Sequence, residues 1–267
     1  MRNNKIVLIT GGTGNIGRSI TEFYLNKGWV TIILSRRYNK SQLEKKWLAE
    51  HPGTFYFFEA DLTQYENLKA VYSFIDSTYG KLDLLINCAG GLCSEENIKT
   101  TTPESFLKAF ELNVQSVYNT CHRFIQLLTE ARGLIINFSG GGATADQSNG
   151  VFVSYPVAKT ALLRLTEILA NQLAKIHISV FAIDPGWVPS EEDWQEINAS
   201  KATDHLVDTS YICSPDKTPL LIDYLFSHRD NSISGKLFSV LDDYKATIAN
   251  LKIGDNSDLL KLRLLKN

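Results

Sequence analysis

Residue types that could do chemistry are most concentrated at Tyr155-Pro156-Val157-Ala158-Lys159, which heads an apolar-periodic run from Thr160 to Lys175. Side chains four apart on a helix share a face, so the spacing sets an ammonium beside a phenol. A free phenol has a pKa of about 10, and a neighbouring cation favours phenolate, moving the group toward proton transfer near neutrality. Pro156 suits the first turn of such a helix, where its missing N–H is not needed. The same pentapeptide is also an ordinary solvated helix face, so its meaning rests on its surroundings.

Two further polar residues could serve the same reaction. Ser139 ends the apolar run Gly133 to Ser139 and opens onto Gly140-Gly141-Gly142, where a hydroxyl could bond a substrate oxygen or only cap the turn. Asn113 lies among mostly apolar neighbours in a helical run from Phe106 to Thr129. A buried amide must find partners. It either holds a helix kink, bonds a nearby strand, or secures a water for proton relay.

These groups need a scaffold and an electron carrier, and the N-terminal third supplies signs of both. Lys5 to Thr10 is a short β-branched run suited to a strand buried on both faces, and it leads into Gly11-Gly12-Thr13-Gly14-Asn15-Ile16-Gly17. The Gly12-x-Gly14-x-x-Gly17 spacing precedes a helix from Arg18 to Lys27 ended by Gly28. Strand, glycine turn and helix is the context in which backbone approaches a pyrophosphate at a helix N-terminus. After a second strand, Trp29 to Leu34, an acid would bond the adenosine ribose hydroxyls, but Ser35-Arg36-Arg37 stands there. Guanidinium attracts a 2′-phosphate that a carboxylate would repel, so NADP(H) is favoured, with NAD(H) as the alternative.

The rest alternates regularly. A helix is expected from Ser41 to Glu50 and a strand from Thr54 to Glu59, with Asp61-Leu62 beyond it placed to contact adenine or to cap the helix near Gln64. Leu82 to Asn87 reads as the next strand, closing in Asn87-Cys88-Ala89-Gly90-Gly91, small residues that permit a close approach. His177 to Ile183 follows, broken by Asp184-Pro185-Gly186. The polar segment 187–212 beyond reads as a movable cover. A helix near Pro215 to Ser227 and a strand from Lys236 to Leu241 complete the alternation, and the tail 242–267 is expected to be helical around Asp258 to Leu264. Seven strands alternating with helices and no internal break indicate an α/β fold, one Rossmann-type doubly wound parallel sheet spanning 1–267 as a single domain.

Composition excludes several other classes. With 27 basic and 29 acidic residues, a net charge of −2 and no basic stripe, neither nucleic acid nor an anionic membrane is an expected partner. A small molecule is. The first strand begins without a charged leader, and no apolar run is long enough to span a bilayer, so no signal peptide or membrane segment is expected. The four cysteines show no Cys-x-x-Cys pair, which fits a reduced, cytoplasmic compartment. No metal is expected.

Taken in order, Thr10-Gly11 to Gly17, Asp61-Leu62, Asn87-Cys88-Ala89-Gly90, Asn113, Ser139, Tyr155-x-x-x-Lys159 and Pro185-Gly186 resemble the short-chain dehydrogenase/reductase family over nearly the full length. The resemblance implies hydride transfer between a nicotinamide and a small alcohol or carbonyl compound. It would make Tyr155 the general acid/base, with Lys159 binding the nicotinamide ribose and depressing the Tyr155 pKa. Ser139 would orient the substrate carbonyl and Asn113 would hold the relay water. Cofactor contacts are implied from Gly11, Thr13, Gly14, Asn15, Ile16 and Gly17; from Ser35, Arg36 and Arg37; from Asp61 and Leu62; from Asn87, Ala89 and Gly90; from Tyr155 and Lys159; and from Pro185, Gly186 and Val188. A homodimer or homotetramer is implied too, through the two long helices.

Two departures open alternatives. Asn15 replaces the middle glycine of the classical branch, and Gly14 gives a spacing similar to the extended branch of sugar-nucleotide epimerases and dehydratases. The Asn87-Cys88-Ala89-Gly90 run and the lack of an added C-terminal domain resemble the classical branch. Ser139 also stands slightly farther from Tyr155 than the family's usual spacing, leaving Thr144 and Ser148 as rival hydroxyls. A homologue that binds cofactor without catalysis is the third reading.

Overall fold

A computed structural model describes residues 4–36, 42–93, 97–144, 152–201, 210–253 and 260–261. Its centre is a parallel sheet of seven strands in the order β3-β2-β1-β4-β5-β6-β7. They are β1 (Ile6–Thr10), β2 (Val30–Ser35), β3 (Phe55–Glu59), β4 (Leu84–Asn87), β5 (Leu134–Phe138), β6 (Ser179–Asp184) and β7 (Leu237–Ser239). Parallel strands need crossovers, and crossover helices cover both faces. That is why Ile6, Val7, Leu8 and Ile9 of β1 are all buried although they point alternately up and down.

The alternation sorts the core into two layers. Val7 and Ile9 pack with Ile20, Tyr24 and Leu25 of α1 (Asn15–Asn26) and with Leu221, Ile222 and Leu225 of α8 (Lys217–His228). Ile6 and Leu8 face the other way, toward Val71 and Ile75 of α3 (Lys69–Tyr79), Phe124 and Leu127 of α5 (Ser116–Ala131) and Leu162 of α6 (Ser154–Leu173). The remaining described α-helices are α2 (Gln42–Glu50), α4 (Pro103–Phe110), α7 (Glu191–Lys201) and α9 (Tyr244–Ile253).

A polar ladder crosses the second layer where β4 and β5 pair. Asn87 Nδ2 donates to Asn137 Oδ1 at 2.9 Å, Asn137 Nδ2 to Thr166 Oγ1 at 2.9 Å, and Thr120 Oγ1 to Asn87 Oδ1 at 2.7 Å. Every link is buried and answered, so a slipped register would strand several polar groups at once. The strands that end beneath the catalytic candidates are thereby held in place against α5 and α6.

Some boundaries differ from expectation. The helical run expected from Phe106 to Thr129 is α4 and α5 joined through Glu111–Gln115, a wide turn in which Ser116 N–H reaches back five residues to Glu111 O. The final strand is shorter than Lys236 to Leu241. In the tail, the described helix is α9, earlier than expected; Leu260 and Lys261 form a turn, and the other residues of the expected Asp258 to Leu264 helix lie outside the described set. Its signal was legible: Asp243 Oδ1 accepts from Ala246 N at 3.1 Å, and Ile248 and Leu251, three apart, supply the buried face. Segment 187–212 is closed at its base by Trp187 and Ile212, with Trp187 N donating to Tyr211 O and Cys213 N to Trp187 O, both at 2.7 Å. Among the described residues, no helix is long and apolar enough to cross a membrane.

Candidate active site

Strand order reverses between β1 and β4, and in open sheets of this kind ligands bind outside the carboxyl ends of the strands at that point. Two contiguous hollows lie there. A smaller one of about 350 Å³ is lined by Gly11, Thr13, Gly14, Asn15, Gly17, Ser35, Arg36, Asp61, Leu62 and Ala89, among others. A larger one of about 770 Å³ is lined by Ser139, Gly140, Tyr155, Lys159, Asp184, Pro185, Gly186 and Trp187, with others. Ile16, Cys88, Gly90 and Val188 belong to both, so they form one cleft.

The smaller hollow is a backbone cradle. Gly11 has φ +68°, and a Cβ on Gly17 would lie 2.1 Å from Gly11 O. Only glycine at 17 lets α1 begin so close beneath the turn. Gly14 caps α1 without a side-chain hydrogen bond, and the first turn carries no acid, so the helix's leading N–H groups and positive end face the hollow. An open helix start beside a glycine turn suits a pyrophosphate, and the residues fit the dinucleotide that the glycine spacing implies. Thr13 Oγ1 donates to Ser35 Oγ at 3.3 Å, and Arg36 lines the rim. Arg37 lies outside the described residues, as does Ser148. Asp61 Oδ1 accepts from Thr63 N at 3.0 Å and Thr63 Oγ1 at 2.8 Å, so it caps the turn while lining the hollow.

The larger hollow is a wall of side chains. Tyr155 hydroxyl lies against Gly140, where a Cβ would come within 2.1 Å of it. Lys159 Nζ donates to Phe138 O at 2.9 Å and stands 5.6 Å from the Tyr155 ring centre. Ser139, Tyr155 and Lys159 thus meet in one space, with Thr144 on the same lining. Asn113 stands behind that space. Its Oδ1 accepts from Gly91 N at 3.0 Å, and its two N–H donors are engaged by Gly91 O and Ala109 O, both at 3.0 Å. The amide holds both a helix irregularity and the loop after β4, which brings Gly90 beside Lys159: a Cβ there would lie 3.5 Å from Nζ.

The electrostatics reverse one expectation. Tyr155 is pushed up to about 12, first by burial and then by the Asp184 carboxylate, instead of being depressed by Lys159. Lys159 is itself lowered to about 8 by burial, opposed by Cys88. The ammonium is directed at Phe138 O, and both groups lie in the same desolvated wall, where neither charge is welcome. Cys88 is pushed up to about 12 by burial, with Lys159 opposing, and so is a protonated thiol. Among the lining residues that motif reading passed over, Asp184 had a signal: like Ser139 and Asp61, it stands at the carboxyl end of a strand.

A dinucleotide cradle continuous with a Tyr, Lys and Ser wall, at the switch point of a doubly wound sheet, defines a nicotinamide-dependent oxidoreductase. Residues 5–201 match the family described as short chain dehydrogenase, and the chain belongs to it. L-fucose dehydrogenase of Oryctolagus cuniculus is 29% identical over 197 residues, covering 73% of this chain and 66% of that protein. 7alpha-hydroxysteroid dehydrogenase of Bacteroides fragilis is 28% identical over 253 residues, covering 92% and 96%. The structure of ElxO with NADP bound superposes with a TM-score of 0.77 at 23% identity, over 89% of this chain and 97% of the other. The protein is an NAD(P)-dependent dehydrogenase of alcohol or carbonyl substrates.

Proposed function

We propose that the enzyme is an NADP(H)-preferring oxidoreductase of the classical type, with Tyr155 as its proton donor and acceptor. The observation that carries the reading is the meeting of Tyr155, Lys159 and Ser139 in one hollow continuous with the glycine cradle. A dinucleotide held by that cradle would supply, through its nicotinamide, the hydride acceptor or donor. Tyr155, protonated at neutral pH, gives its proton to the substrate oxygen during reduction and must lose it before taking one during oxidation. Ser139 donates a hydrogen bond to the same oxygen. Lys159 holds the ribose, and the Asn113 amide keeps the Gly90-Gly91 loop against it.

Arg36, at the end of β2 with Ser35 and Thr13 beside it, supports the phosphorylated cofactor, as does the likeness to a protein solved with NADP. The same reading takes the chain as one domain working in the cytoplasm, where its cysteines stay reduced as thiols. Leu107, Phe110, Val114, Tyr118 and Leu165 line an open groove of about 470 Å³ across α4, α5 and α6, a face suited to pairing with a second copy. Fluorescence titration with NADPH and NADH tests the cofactor assignment. NADPH binds more tightly, and Arg36→Ala removes the difference, about tenfold or more. Equal affinities in the unaltered enzyme would reject it.

A further inference from the structure

Among the described residues lining the larger hollow, Asp184 is the one acidic side chain and Lys159 the one basic. Strand alternation decides where Asp184 points. Phe181 and Ile183 belong to the layer under α1 and α8, while Ala182 packs with Leu163 of α6. Asp184, two residues beyond Ala182, therefore faces α6, which carries Tyr155. Its carboxylate is sensed by the Tyr155 phenol, and it is itself raised by burial, against the Gly186 N–H and with help from Asp242. Cys213 senses it as well.

Among the described residues, the hydrogen bonding of Asp184 leaves its carboxylate room for further donors. Gly186 N–H reaches Oδ1 at 3.1 Å, closing the Pro185-Gly186 turn, and this is the hydrogen bond the carboxylate makes among the described residues. An ionised carboxylate accepts several more, and one left short in a hollow that a substrate dries is costly. A substrate group that donates to it relieves the shortage; a second anion worsens it. We infer that Asp184 sets the substrate class: the hollow takes carbonyl compounds or alcohols bearing a second donor group, hydroxyl or ammonium, and turns away carboxylates. The inference rests on the dehydrogenase reading, with the reacting oxygen at Tyr155.

The rival account is that Asp184 only closes the turn. Asp184→Asn separates the two, because the amide Oδ1 still accepts from Gly186 while the charge is gone. The test compares NADPH-dependent kcat/KM for cyclohexanone with its hydroxy, amino and carboxylate derivatives, substituted at the third or fourth ring carbon, in both enzymes. In the unaltered enzyme the hydroxy and amino compounds exceed the parent ketone by about tenfold, and the carboxylate falls below it. Asp184→Asn lowers the ratio of amino to carboxylate substrate by about tenfold or more. The same ratio in both enzymes would overturn the proposal and leave the dehydrogenase reading standing. Failure of all four ketones in an enzyme that binds NADPH normally, followed by fluorescence, would overturn both.

Discussion

The two hollows of the cleft are built by opposite means. The smaller is made largely of backbone: a glycine turn, the open start of α1 and the ends of β1 and β2, drawn from residues 10–36, with Asp61, Leu62 and the loop after β4 closing its sides. The larger is made of side chains from Cys88, Ser139, Tyr155, Asp184 and Trp187, which reach one place only because β4, β5 and β6 end together. Recognition by backbone is a local property, specified by a few consecutive residues. Proton chemistry depends on which distant groups desolvate and charge one another.

If this division holds, substitutions on the two sides fail differently. Ser139→Ala removes a donor from the substrate oxygen and lowers kcat by about 10²–10³ with NADPH affinity retained; an unchanged kcat would pass its role to Thr144. Gly17→Ala forces a Cβ against Gly11 O, an overpacking strain of about 2–3 kcal/mol, and weakens NADPH about a hundredfold by titration. Binding unaffected by that substitution would break the comparison at its backbone half. The smallest effect is on stability. Lys159 binds its proton less tightly in the folded chain, at about 8 against its ordinary 10.5, so it destabilises the fold below pH 8, and that penalty fades as pH rises from 8 toward 10.5. Lys159→Met therefore raises Tm of the cofactor-free protein by a few degrees at pH 7, with the gain shrinking as pH rises through that window. Equal Tm at pH 7 would show that the ammonium is better accommodated than its burial implies.

The same division explains what could be read from residues alone. The strand, glycine turn and helix from Ile6 to Asn26 were legible to within a few residues, because glycine spacing and apolar runs act over short distances. Tyr155, Lys159 and Ser139 were legible as positions, since strand ends and helix faces follow from periodicity. Their electrostatics were not. The expectation that Lys159 depresses Tyr155 counted a pair four residues apart and omitted Phe138 O, which takes the ammonium, and Asp184, which adds a negative charge. Both come from strands, β5 and β6, and not from the helix that carries the pair. Asn113 was readable as a buried amide in need of partners, but its partners on Gly91 belong to a loop more than twenty residues away, and the wide turn that carries it has no compositional mark.

Tyr155→Phe tests the central claim most directly, with NADPH affinity and kcat measured on the same protein. The expected result is affinity equal to that of the unaltered enzyme with kcat lower by about 10²–10⁴, proton transfer being lost while the cradle stays intact. A variant that keeps its turnover would contradict the assignment of the proton to Tyr155 and return the larger hollow to a binding role alone.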